Sequence, residues 1–135
     1  MSKYTLFLIT LAITILAYWV WNYDPRVNEL NSILSQDNEL NNYPYQFKVI
    51  ELKNGTAVMS SPRSAKVSVF KFLSIIKPNL PRNNSNNPKV IAAQKELAYN
   101  QQKAKKIILS QSDIEQVSWK LDKNWFASYG IYVDD

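Results

Sequence analysis

The feature that most constrains this chain is an uncharged stretch near its start, running from Tyr4 to Tyr23. Only three threonines and one asparagine interrupt its apolar residues. About 20 helical residues span the roughly 30 Å hydrocarbon core of a bilayer. Both faces of such a helix would be apolar, which argues against the amphipathic helix of a soluble core. The stretch therefore predicts a membrane-spanning helix.

The residues that follow the apolar core distinguish an anchor from a cleaved signal. A signal peptidase requires small side chains after the apolar core, whereas this chain has Tyr18, Trp19, Trp21 and Tyr23 there. Large aromatic rings are typical of the membrane–water boundary. We predict that residues 1–23 form a retained transmembrane anchor with these four side chains at the interface.

The charges that flank the anchor indicate its orientation. Lys3 and the amino terminus precede it, and Asp24, Arg26 and Glu29 follow. Counting only Lys and Arg, the bias towards a cytoplasmic N-terminus is small. Because short C-terminal domains are commonly exported by such segments, we predict a single-pass inner-membrane protein whose residues 24–135 lie in the periplasm of a bacterium.

Composition excludes several kinds of site. Cysteine and histidine are both absent, which removes disulfides, thiolate nucleophiles and most zinc, copper and haem ligand sets. Gly55 and Gly130 are the only glycines, so a glycine-rich nucleotide loop is excluded. The acid pairs Asp113/Glu115 and Asp134/Asp135 lack the spacing of a calcium loop and are interpreted as solvated charge. We expect no cofactor and no metal.

The first half of the body contains a helix and a hairpin. In "DPRVNELNSILSQDNEL", Asp24 can cap a helix that Pro25 opens. In "YQFKVIELKNGTAVMSS", Phe47, Val49 and, as a third candidate, Glu51 alternate with their neighbours. Asn54-Gly55 then supplies the positive φ values of a tight hairpin turn. Residues 56–60 return as the second strand.

The second half is read as helices and a last strand. The spacing of Val69, Phe70, Leu73 and Ile76 favours a helix, with a strand as the alternative. Residues 78–88 predict an exposed loop. Pro88 opens the longest helix, which ends near Leu109; its predicted buried face comprises Val90, Ala93, Leu97, Ala104 and Ile108. A strand in "IEQVSWKL" and a closing turn or short helix complete an α+β domain, an αββα(α)β sandwich of one sheet against helices over residues 24–135.

This order of elements, with "VNELNSILSQDNEL", "YQFKVIELKNGTAVMSS" and "AKKIILSQSDIEQVSWKL", resembles the BON domain family over about residues 26–121. Gly55 matches the family's hairpin glycine, and Val117 lies where its last strand begins. Two features depart from the family. Ser60, Ser61 and Pro62 stand where a glycine usually follows the second strand, and roughly 20 to 25 additional residues precede the long helix. The resemblance implies a bacterial envelope protein that binds phospholipid or protein without catalysis.

Positive charge is concentrated in the middle of the chain. Residues 62–109 contain ten Lys or Arg and the single acid Glu96. Six of these bases are candidates for contact with anionic lipid: Arg63, Lys66, Lys71, Lys103, Lys105 and Lys106. Each cation near a charged bilayer contributes about 1 kcal/mol. The alternative is an ordinary solvated face, and nucleic acid would become a partner only if the domain were cytoplasmic.

One segment imitates a catalytic dyad. In "MSSPRSAK", Ser60, Ser61 or Ser64 stands near Lys66, as in enzymes where a neutral Lys activates a hydroxyl. The other interpretation is a strand end followed by a helix cap at Ser64. Without a glycine-rich elbow, we expect no enzyme. The sequence thus predicts an anchored adaptor that binds an envelope protein or anionic phospholipid. An accessory subunit of a larger inner-membrane complex is the alternative, and a membrane-bound Ser/Lys hydrolase ranks lowest.

Overall fold

The computed structural model describes residues 2–81 and 85–133. Its fold is mixed α+β, with a three-stranded sheet and an apolar N-terminal helix. The helices are α1 (Lys3–Asn22), α2 (Pro25–Ser35), α3 (Asn38–Asn42), α4 (Val69–Ile76), α5 (Pro88–Leu109) and α6 (Lys123–Ser128); the strands are β1 (Val49–Lys53), β2 (Thr56–Ser61) and β3 (Gln116–Leu121). The predicted loop at 78–88 contains no helix or strand in its described part before Pro88.

Helix α1 is long and apolar enough to cross a membrane, and its stretch Lys3–Trp21 is not buried by any other described residue. Its hydroxyl groups are satisfied within the helix. Thr10 donates to Leu6 O at 2.9 Å, and Thr14 donates to Thr10 O at 2.8 Å. Such internal bonds remove the cost of placing a hydroxyl in hydrocarbon.

Two residues separate α1 from the folded body. The carboxylate of Asp24 accepts from the backbone N–H groups of Arg26 (3.0 Å) and Val27 (3.4 Å), and Pro25 occupies the first helical position, as expected. The predicted continuous helix is wrong beyond Ser35. Asp37 caps a separate short helix, α3, by accepting from Leu40 N–H at 3.1 Å, and this cap interrupts the helix.

The hairpin forms as predicted, with Asn54 and Gly55 at φ values of 49° and 84°. The side chains of β1 that face the core do not simply alternate along the strand, because Val49 pairs with Met59 whereas Glu51 pairs with Val58. The additional residue, Ile50, makes a β-bulge. After the bulge Leu52, rather than Glu51, packs against the core.

Strand β3 pairs with β2 in parallel, so the sheet order is β1-β2-β3. The chain crosses from β2 to β3 through α4 and α5. The five residues predicted to form the buried face of α5 are all buried. In α4 the prediction of a helix is confirmed, but Phe72 with Leu73 is buried and Phe70 is exposed.

The core is rich in aromatic rings. Tyr45 packs edge-on to Phe47, Phe72 and Trp125, and Trp125 packs on Phe126, which is fully buried. The short helix α6 therefore closes the core. Its Asp122 cap also accepts a 2.8 Å hydrogen bond from the Tyr45 hydroxyl, which ties the end of β3 to the segment before β1.

Candidate functional site

The six predicted anion contacts are not one surface. Arg63 and Lys105 line one cleft, Lys66 and Lys71 line a second depression, and Lys106 is exposed on α5. Lys103 belongs to neither depression, because its ammonium group lies 3.1 Å from Asp37 Oδ1 and 3.0 Å from Glu39 Oε1. The six residues therefore have different surroundings: two line the cleft, two line the depression, one is ion-paired and one is exposed.

Lys103 ties α5 to α3. The hydrogen bond to Glu39 is the main cause that raises the pKa of Lys103, and Asp37 adds to it. The same bond lowers the pKa of Glu39. Burial opposes ionisation of Asp37, but the Leu40 N–H and Lys103 outweigh it and lower its pKa. Lys103 therefore forms a charged triad with Asp37 and Glu39, and this triad links α5 to α3.

The cleft with Arg63 and Lys105 is open to solvent and has a volume of about 470 Å³; it lies between the end of β2, the middle of α5 and β3. This volume falls in the range of about 300–1,000 Å³ that is usual for small-ligand sites. The other residues that line it are Ser61, Ser64, Ala98, Gln101, Gln102 and Trp119. The lining combines two cations, several polar groups and one aromatic wall.

A buried pair of polar side chains fixes the position of Arg63. Its Nε donates to Gln101 Oε1 at 3.1 Å, and Gln101 Nε2 donates to Ser61 Oγ at 3.3 Å. The Ser61 hydroxyl donates to Arg63 O at 3.0 Å and accepts from Arg63 N–H at 3.3 Å. Both Ser61 and Gln101 are buried. The ring of bonds thus holds both the backbone and the side chain of Arg63.

The charge of the cleft is uncompensated. Arg63 and Lys105 are its only charged lining residues, and within the described part of the chain neither forms an ion pair. Among the described residues, the Arg63 guanidinium is hydrogen-bonded through Nε alone, to Gln101. A guanidinium and an ammonium group that line the same cleft are suited to an oxyanion.

Charges are distributed unevenly along the body. Arg26, in the first turn of α2, binds Asp113 Oδ1 at 2.7 Å, and Glu115 N–H donates to Gly55 O at 2.7 Å. The end of the domain next to α1 therefore consists of the start of α2, the hairpin turn and the loop before β3. Its four acids, Asp24, Glu29, Asp113 and Glu115, outnumber its two bases, Arg26 and Lys53. The far end of β2, at Ser61, lies about 17 Å along the strand from Thr56, and Arg63 lies beyond it.

The four predicted interface aromatics are exposed at the end of α1 and directly after it. Trp21 has 89% of its surface exposed, and Trp19 has 71%. They precede the folded body by only a few residues. Of the aromatic residues near the C-terminus, Phe126 is buried, whereas Trp119 and Trp125 are partly buried against the core.

The serines of the imitated dyad have structural partners. Ser60 Oγ accepts from Lys48 N–H at 3.0 Å, and Ser60 is buried beside Ser61. Ser64 does not cap α4, as one interpretation expected. Its Oγ instead accepts from the N–H groups of Lys66 (3.1 Å) and Val67 (3.3 Å), and Ser68 is the cap of α4.

The structure describes one of the two predicted acid pairs, Asp113/Glu115. The Asp113 carboxylate is held by Arg26, whose hydrogen bond lowers its pKa. Asp134 and Asp135 lie outside the described residues. Within residues 2–81 and 85–133, no three carboxylates lie close enough to form a metal-binding group.

Sequence reasoning missed Gln101, Gln102 and Ser61 as parts of the cleft. A signal was present for Gln101, which follows Leu97 by four residues and precedes Ala104 by three on the buried face of α5. A polar residue at such a position must find a partner. Nothing in the sequence indicates that this partner is Ser61.

No protein-family model, curated protein or solved structure matches the chain.

Proposed function

We propose that the chain is a single-pass, membrane-anchored adaptor of the bacterial envelope, without enzymatic activity, that binds an anionic phospholipid or a protein partner. The observation that carries this proposal is the unburied apolar helix α1, joined by two residues to a folded domain. A helix that is not buried by any other described residue requires another apolar environment, and a bilayer provides it. In this proposal the N-terminus is cytoplasmic and the domain is periplasmic.

The charge distribution supports a binding role directed away from the anchoring end. The acidic end beside α1 would be repelled by anionic lipid in the same leaflet. The cleft with Arg63 and Lys105 is displaced from that end along β2 and α5. An anionic component reached at a distance from the anchor fits this arrangement better than one in the adjacent leaflet.

Hydrogen bonding supports binding rather than hydrolysis. A serine nucleophile requires an accessible hydroxyl oxygen and a base within hydrogen-bond reach. Ser60 and Ser61 are buried, and their hydroxyls hold backbone and amide groups. A hydrolase that used Ser60 or Ser61 would have to break these bonds before each turnover.

We also infer a distant relation to the BON domains from the order of helix, hairpin, helix and strand. The hairpin glycine at Gly55 supports it, whereas Ser60-Ser61-Pro62 and the segment that contains α4 depart from the family pattern. The competing function, an accessory subunit of a larger complex, would require α1 to pack on other helices. The internally bonded threonines of α1 favour a helix that needs no such partner.

Thiol labelling tests the proposed topology, because the chain contains no cysteine. Ser85→Cys places a single thiol in an exposed loop of the domain, and Ser2→Cys places one before the anchor. In intact cells, a reagent that does not cross the inner membrane should label Ser85→Cys but not Ser2→Cys, and lysis should expose both. The full-length mass should also persist in the membrane fraction.

Each alternative gives a different pattern. Labelling of Ser2→Cys alone would contradict the periplasmic placement, and labelling of both or of neither would contradict a single span. A shortened, soluble product would show that the apolar segment is a cleaved signal.

A further inference from the structure

We propose that the cleft with Arg63 and Lys105 binds one phosphate group of a phosphate ester, with the organic part of the ester against Trp119. The inference deepens the proposed function, since it names the chemical class of the anionic partner and where it is held. It requires neither a particular membrane topology nor the relation to the BON domains.

The chemistry of the two cations selects an oxyanion. A guanidinium offers a planar set of donors that can form two parallel bonds to one phosphate, and an ammonium group adds a compact charge. Arg63 comes from the segment after β2, whereas Lys105 comes from α5. Among the residues that the structure describes, no carboxylate lines the cleft to compete for either cation.

The ring of hydrogen bonds prepares Arg63 for a ligand. A free arginine side chain loses rotamer entropy when a ligand immobilises it, and this loss weakens binding. Here Gln101 and Ser61 have already fixed Nε and the backbone of Arg63. Arg63 is exposed to solvent, and these hydrogen bonds restrict its side chain before a ligand arrives.

The shape of the cleft indicates an ester rather than the bare ion. A volume of about 470 Å³ exceeds what a single phosphate fills, and Ala98 and Trp119 supply apolar wall beside the cations. Gln102 is exposed at the cleft and available for a hydroxyl group of a glycerol or sugar substituent, and the Ser64 hydroxyl, which accepts from two backbone N–H groups, can still donate. Phosphate chemistry of this kind occurs both in lipid headgroups and in soluble esters.

Titration of the full-length protein distinguishes the two sources. The protein is placed in nanodiscs of phosphatidylcholine and titrated by calorimetry at fixed ionic strength with glycerol 3-phosphate. In a second arm, nanodiscs that carry the protein are mixed with vesicles that contain phosphatidylglycerol. Binding in the first arm identifies a soluble ester, and binding only in the second identifies a lipid headgroup.

Variants test the geometry in whichever arm gives binding. Arg63→Gln and Lys105→Gln should each weaken binding at least tenfold. Arg63→Lys, which keeps the charge and loses the planar fork, should also weaken binding. Lys106→Gln is the matched control, since Lys106 is the next residue of α5, is exposed and does not line the cleft. It should bind like the natural chain. Circular dichroism should show that all four variants remain folded.

Two results would overturn the proposal. Equal weakening by Lys106→Gln and Lys105→Gln would show a diffuse charge effect, and the adaptor function would then stand without the cleft. Absence of binding in both arms by a folded, membrane-inserted protein would exclude the phosphate site. Failure of membrane insertion, in contrast, would contradict the adaptor proposal and not the cleft.

Discussion

Replacing Asn31 by Ala should destabilise the domain, because Asn31 closes the free edge of β1. Its Oδ1 accepts from Val49 N–H at 2.7 Å, and its Nδ2 donates to Val49 O at 3.0 Å. One amide side chain of α2 thus takes the place of a neighbouring strand. The unpaired edge of a sheet otherwise invites pairing with a second chain.

The magnitude follows from the two bonds. Val49 is buried, so removal of the amide leaves one N–H and one C=O without their partner, at about 1–2 kcal/mol each. Alanine is a better helix former than asparagine by about 0.6 kcal/mol, which offsets part of the loss. We expect Asn31→Ala to lower the free energy of unfolding by about 2–3 kcal/mol.

Urea unfolding of the full-length protein in mild detergent, followed by tryptophan fluorescence, measures this difference. Asn28→Ala is the matched control, because Asn28 is an exposed residue of the same helix, and it should raise stability by a few tenths of a kcal/mol. If the two variants differ by less than about 0.5 kcal/mol, within the uncertainty of a net hydrogen-bond contribution, the edge-closing role of Asn31 is wrong.

Two further changes test the core and the charged triad. Phe126→Ala removes a fully buried ring and should cost about 3–5 kcal/mol in the same unfolding assay, whereas the exposed Asn124→Ala should cost less than about 0.5 kcal/mol. The pKa values of Asp37 and Glu39 are lowered in the folded protein. The stability that their ionised forms contribute should be complete above about pH 4.5 and should be lost as the pH falls through these lowered pKa values. A Lys103→Met variant should show a smaller fall in melting temperature between pH 5 and 3, and an equal fall would contradict the role of the triad.

Several elements were predictable from the sequence because local residues determine them. The hairpin required only that Asn54 and Gly55 tolerate positive φ. The longest helix required Pro88 at its start and an apolar face repeated over several turns. In both cases the deciding interactions lie within a few residues of one another.

Other features depend on neighbours that are distant in the chain. The bulge at Ile50 moves Leu52 inward, opposite Ala57, and the local alternation of residues does not indicate it. Phe72 is the buried ring of α4 because Tyr45 and Trp125 lie against it. The spacing that suggested Phe70 on the buried face could not include these contacts.

The sequence by itself determined the apolar N-terminal helix, the absence of thiol and imidazole chemistry, and the basic middle of the chain, since composition and local periodicity are sufficient for each. Only the tertiary structure decided which cations remain available. Lys103 and Lys105 are two residues apart, but one points to Asp37 and Glu39 and the other lines the cleft. Electrostatic pairing depends on distance in space, and the fold brings those carboxylates to Lys103 from more than sixty residues away.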